Sequence, residues 1–227
     1  MAWINTNPEL YLSNLMMRYH FFEYSSTIWA SVRMQKLTRA DLLNLETYAE
    51  QRKDFRAKVL AHKKHRKIRL GEHVTLLFED RLTIKYQIQE MLRVERIFEA
   101  AGIEDELQAY NPLIPDGSNL KATLLIEYED VEERKRALAK MIGVEDKVWM
   151  QVPDFERVWA TADEDLERET EEKTSSVHFL RFEFTPPMIT ALKEGADLAI
   201  GIDHSGYHFQ TDIVDESIKA ALCADFE

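Results

Sequence analysis

The sequence predicts an α+β fold with its helices gathered first and its sheet later. Apolar residues recur at helical spacing across Glu79–Phe98. From Lys147 onward, short runs rich in β-branched and aromatic residues read as strands. Strands and helices mix without the regular alternation or glycine fingerprint of a doubly wound sheet. The expected architecture is a set of N-terminal helices, one of them long and amphipathic, packed on a mixed or antiparallel sheet.

Length and composition bound the rest. The 227 residues suffice for one sizeable domain, or one domain and an appendage. With 45% hydrophobic and 31% charged residues the chain is ordinary for a globular protein, which sets aside disordered, collagen-like and coiled-coil classes. A net charge of -12 opposes global attraction to nucleic acid or an anionic membrane, so neither is an expected partner. The single cysteine, Cys223, excludes an intrachain disulfide, a Cys-x-x-Cys motif and thiolate-rich metal ligation, and favours the cytoplasm. No apolar run approaches the roughly 18 residues that mark a spanning helix.

Met1–Arg33 shows no sustained period and reads as an extra N-terminal segment, a start codon placed too early or else an arm that docks through Tyr11, Leu12, Phe21 and Phe22. The domain proper is expected over residues 34–227. Thr38 with Asp41 three residues on resembles an N-cap opening a short helix through Leu42, Leu43 and Leu45. A second helix is expected from about Asp54 to Lys67, ending at Gly71, with Phe55, Val59, His62 and Arg66 on one face. Val74–Phe78 reads as a buried strand. In the long helix Ile84, Ile88, Met91 and Phe98 share a stripe, and Glu95 falls within about 20° of its centre.

A further helix spans Ile103–Tyr110, and Asn111–Asn119, with two prolines and an Asp-Gly pair, forms an ordered loop of the kind that carries function. Leu120–Glu127 alternates as a strand, and Val131–Ile142 is a charged helix stopped by Gly143. Lys147–Val152 and Arg157–Thr161 are strands around Pro153-Asp154, presenting Trp149 and Trp159. Asp163–Glu172 is strongly acidic and reads as a solvated segment, available to pair with the basic helix. Val177–Phe184 is a strand, Pro186–Glu194 a helix with prolines in its first turn, and Ala196–Asp203 a strand.

Chemistry is sought first at Glu95, because an unpaired buried carboxylate costs several kcal/mol. Its partner is expected to be a cation, a metal or a proton, with Arg66 or His62 the most economical choice. His178 shares an apolar strand face with Leu180, Phe182 and Phe184, so Glu95, His178 and Arg66 form a candidate acid–base set. His62, Arg181, Asn111 and Asp116 are candidate binding residues around it, and Arg181 with Glu183 reads equally as a local ion pair. Asp203, His204 and His208 offer oxygen and imidazole donors to a divalent metal, although their turn-like spacing is poor for one-sided ligation. No nucleophile elbow, phosphate loop or zinc-protease motif is present.

From Met34 onward the chain resembles a bacterial family known as domain of unknown function 3501. The stretches Leu70–His73, Leu76–Thr83, Gln87–Arg93, Tyr110–Gly117 and Ser175–Glu183 carry the resemblance. It implies no established activity and assigns no catalytic residue. It does imply an association with a rubrerythrin-like protein and an iron-sulfur oxidoreductase subunit, hence an accessory part in an iron-dependent redox or peroxide-defence system. The alternative expectation is a metal-dependent or acid–base enzyme acting on a small anionic substrate.

Overall fold

The structure, a computed structural model, describes residues 36–164, 168, 170 and 172–226; Met1–Arg33 lies outside them. Thr38 and Asp41 do form a capping box, but it closes only a 3-10 turn over Arg39–Asp41. Leu43 is not helical: the buried Gln89 amide accepts from its backbone N–H at 2.6 Å and donates to its carbonyl at 3.1 Å. The first true helix, α1 (Leu45–Lys63), starts where the Asn44 side chain accepts from the Thr47 N–H. It is longer and earlier than expected, and the chain leaves it at Lys63 to form an unforeseen strand, β1 (Lys67–Leu70). Gly71 turns β1 into β2 (Val74–Glu79) at φ +77, where a Cβ would also strike the Tyr207 hydroxyl.

Asp80 caps α2 (Arg81–Val94) by accepting from Leu82 and Thr83 N–H groups, both at 2.9 Å. This helix has 14 residues, shorter than the periodicity over Glu79–Phe98 implied. Arg96 adopts φ 57, and the Ile97 N–H returns to the Leu92 carbonyl, a left-handed stop without a glycine to announce it. Glu95 is therefore the exposed C-cap residue, and its expected burial is corrected: the 3.6-residue period does not continue through it. Helix α3 (Ala100–Tyr110) folds back on α2, and Leu37, Ile84, Ile88, Met91, Leu92, Leu107, Tyr110 and Ile114 form a small core between them.

The sheets follow from alternation. β3 (Asn119–Ile126), β6 (Thr161–Ala162) and β7 (Val177–Glu183) join β1 and β2 in an antiparallel sheet of order β1-β2-β3-β7-β6. A second antiparallel sheet has order β5-β4-β8-β9, from β4 (Val148–Gln151), β5 (Val158–Trp159), β8 (Ala199–His204) and β9 (Tyr207–Gln210). Register places Leu76, Leu124, His178 and Leu180 on the inner face of the first sheet, within one core that includes Met150, Ile200 and Ile202 of the second. Helices α4 (Val131–Lys140), α5 (Pro186–Lys193) and α6 (Glu216–Cys223) close this core through Leu138, Leu192 and Leu222. The outer face of the first sheet carries Leu77, Glu79, Thr123, Leu125 and Phe179, turned toward α1–α3. No described helix is long and apolar enough to cross a membrane.

Candidate functional site

The outer sheet face and the helical layer do not close fully on each other. Between them lies a groove of about 300 Å³. Its walls are apolar, from Leu60, Leu77, Ile84, Leu113, Leu125 and Phe179. Gln87, Thr123 and Glu127 also line it, and two buried polar groups are central to it. Glu79, at the end of β2 and 8% exposed, accepts from Thr83 Oγ at 2.6 Å and from Thr123 Oγ at 2.8 Å. Those two hydroxyls satisfy one lone pair on each oxygen and leave the carboxylate able to accept more.

The second is Tyr110, 2% exposed, whose hydroxyl has no hydrogen-bond partner. Burial pushes its pKa up to about 12, and the nearby carboxylates of Glu106, Glu95 and Glu79 add to the rise. Gln87 lies close enough to restrain that shift but does not complete a hydrogen bond. An orphaned buried hydroxyl costs about 1–3 kcal/mol, so the groove holds a polar atom awaiting a partner. Lys63, Lys64 and Lys67 border the same groove, and none of them is paired with a described carboxylate. Apolar walls, the buried Glu79 acceptor, one hydroxyl, and three lysines against the single further carboxylate of Glu127 match an amphipathic anion carrying a hydrogen-bond donor.

The residues singled out from the sequence are not brought together. Arg66 does turn inward, 2% exposed, and donates to the carbonyls of Phe78, Glu79 and Ala221 and to the Asp225 carboxylate. His62 meets Asp80 at 2.5 Å, so this cluster ties the end of α1 and the start of α2 to the C-terminal residues. Two carboxylates share one guanidinium there. Burial opposes the charge on Asp80, but the Arg66 charge, the Thr83 N–H and His62 outweigh it and hold that carboxyl below its ordinary value. Asp225 is raised to about 6, chiefly by burial, with the Asp80 charge adding to it against Arg66. The expected Arg66–Glu95 pairing gives way to these partners.

His178 is on the apolar inner face as expected and fully buried. Its Nδ1 lies 2.6 Å from Asp163 Oδ2, and its Nε2 lies 2.9 Å from Thr174 Oγ and 3.7 Å from Glu145 Oε2. Asp163 is thus not a solvated member of the acidic stretch: its other oxygen accepts from the Phe179 N–H and from Arg168, each at 2.9 Å.

Asn111 is a clamp, its amide pairing with both the N–H and the carbonyl of Leu37 at 2.8 and 2.9 Å. Asp116 organises the turn before β3 by accepting from Ser118 and Asn119. Arg181 forms the ion pair with Glu183 and a two-pronged one with Glu164, all at 2.8 Å. The trio Asp203, His204 and His208 is split by hairpin geometry. Asp203 faces His208 across β8 and β9 at 3.2 Å, whereas His204 is taken up by the Ile142 carbonyl and the Gly206 N–H. Trp149 is buried at 3% exposure with Arg157 4.0 Å over its ring, leaving Trp159 as the exposed tryptophan of that pair.

Sequence reasoning overlooked Glu79, Thr83, Tyr110 and Thr123. The available signal was a glutamate ending an apolar strand; in register it faces Lys121, two residues before Thr123 on the next strand.

No curated protein matches the chain. Among solved structures, it is similar to a protein described as a novel protein of unknown function from Burkholderia pseudomallei K96243, at 54% identity and a TM-score of 0.81, covering 85% of this chain and 100% of that one. Residues 36–226 match the family described as "Protein of unknown function (DUF3501)", and the chain belongs to that family.

Proposed function

We propose that this chain is a binding protein for a small amphipathic anion, held in the groove between α1–α3 and the outer sheet face. The observation that carries this reading is the buried, partnerless hydroxyl of Tyr110 in the same groove as the Glu79 carboxylate. A ligand donor reaching Glu79 and a polar atom reaching Tyr110 would recover the cost of that orphan. Its apolar body would cover Leu77, Leu125 and Phe179, and its charge would face Lys63, Lys64 and Lys67. If the bound molecule reacts, Glu79 is the group placed to accept or return a proton.

A suitable probe is 1-anilinonaphthalene-8-sulfonate, which combines apolar rings, one N–H and one sulfonate. The folded protein should bind it saturably, one per chain, with enhanced fluorescence. Glu79→Gln and Tyr110→Phe preserve shape and should each weaken binding by about tenfold. Leu113→Trp, which fills the groove, should abolish it. Affinity unchanged in the filled variant contradicts the proposal.

An accessory part in an iron-dependent redox system, beside an iron-sulfur oxidoreductase or rubrerythrin-like partner in the cytoplasm, is a second reading. What favours it is the nitrogen and oxygen donor set around His178, which suits ferrous iron among other divalent ions.

A further inference from the structure

Donor and acceptor roles around His178 distinguish its two ring nitrogens. Asp163 Oδ2 at 2.6 Å from Nδ1 is an acceptor, so the Nδ1 proton is held there. Nε2 then faces the Ser175 carbonyl at 3.1 Å and the Glu145 carboxylate at 3.7 Å, both acceptors, beside the Thr174 hydroxyl at 2.9 Å. With its proton on Nδ1, the ring offers an Nε2 lone pair that the Thr174 hydroxyl can donate to, and the two oxygens beside it are atoms that a cation could gather on the same nitrogen. We propose that a divalent metal ion binds here to His178 Nε2 and Glu145 Oε2, with the Thr174 hydroxyl and Ser175 carbonyl as neutral oxygen donors.

Three features support the metal. Ligating groups of Glu145, Asp163 and His178 lie within 4.8 Å of one another, at the junction of the first sheet with the 3-10 turn Glu145–Lys147. All three side chains are nine-tenths or more buried. Asp163 is placed as the positioning residue that fixes the ring tautomer, the carboxylate–histidine–metal arrangement common behind imidazole ligands. Asp163 is itself immobilised by the Phe179 N–H and Arg168. In binding, the cation takes the Nε2 lone pair in place of the hydrogen bond from the Thr174 hydroxyl, which turns an oxygen lone pair to the ion, while the Nδ1 proton stays with Asp163. Nitrogen with mixed oxygen donors suits Mn²⁺, Fe²⁺ or Zn²⁺. A buried site of this kind ties metal binding to folding. The inference does not rest on the groove.

The test is metal analysis of the full chain after chelation and reloading with Mn²⁺, Zn²⁺ or, without oxygen, Fe²⁺. One equivalent per chain should be retained by at least one of these ions. Glu145→Gln keeps the side-chain volume and should lose that metal, and Asp163→Asn should weaken it by about 10–100-fold. Asp203→Asn, at the exposed hairpin, should change nothing. Nitrogen-detected NMR of the Zn²⁺ form should show Nε2 without a proton and Nδ1 with one. The inference is overturned if the folded wild-type chain retains none of the three ions, or if His178 carries protons on both nitrogens in their presence. Should a variant fail to fold, the wild-type stoichiometry and the imidazole spectrum still decide the question. Selective retention of Fe²⁺ would favour the redox reading, whereas retention of Zn²⁺ alone would count against it without touching the site.

Discussion

Glu106 keeps its proton up to about 7, because burial disfavours its charge and Glu95 and Asp105 add like charge beside it. Its ordinary value is 4.5, so the folded state binds this proton more tightly than the unfolded chain does. The resulting stability is fully present below 4.5 and is lost as pH rises through about 7. Glu95→Gln removes one of the two like charges and should bring Glu106 part of the way down, burial holding it above 4.5. Titration of the Glu106 carboxyl carbon by NMR checks this, and an unmoved Glu106 would contradict it. Glu95 thus acts on a neighbouring acid from an exposed helix end. Its position was misread because the helix stops at Arg96 in a conformation that glycine usually signals. Arg66 was legible, with His62, as one of two candidates to point inward, although the helical face it was expected to share with Val59 ends at Lys63. Its partner Asp225 was not, being 159 positions away.

At the scale of elements, the inner strands were readable, as was the edge strand β5 within Arg157–Thr161, whereas the edge strands β1 and β9 were not. β2, β3, β4 and β7 follow the expected apolar or alternating runs within a residue or two. β1 and β9 sit at sheet edges, and their exposed Lys67, Arg69, His208 and Gln210 break the apolar signal. Close packing makes its own demand in the second sheet. Gly201 lies under the Trp149 ring, where a Cβ would stand 2.5 Å from the indole and 2.8 Å from the Phe209 carbonyl oxygen. The carbonyl belongs to the neighbouring strand and cannot rotate away. Gly201→Ala should therefore destabilise the protein by about 1–3 kcal/mol, read as a lowered urea midpoint. An unchanged midpoint would mean that the two strands part readily.

Across the whole molecule, the helical layer is fastened within itself by Glu90, which accepts from Tyr48 at 2.6 Å and from the Arg52 fork at 2.8 Å. Burial works against that charge, but Arg52 and Tyr48 prevail and lower its pKa to about 2. Its contribution is present above the ordinary 4.5 and lost as pH falls through about 2, so Glu90→Gln should flatten the acid limb of the thermal stability profile. An acid limb identical to wild type would contradict the pairing of α1 with α2. The α+β class was legible because composition and periodicity are local properties. The groove was not, because Glu79, Tyr110 and Thr123 come from β2, α3 and β3 and meet only when the layers stack. Its function rests on that meeting. Amide-resolved NMR of the wild-type chain titrated with 1-anilinonaphthalene-8-sulfonate tests it most directly. Shifts should concentrate at Thr83, Tyr110, Thr123, Phe179 and Lys63–Lys67. Shifts confined to other surfaces, such as the exposed Phe98 or Trp159, would contradict the assignment of the groove as the binding site.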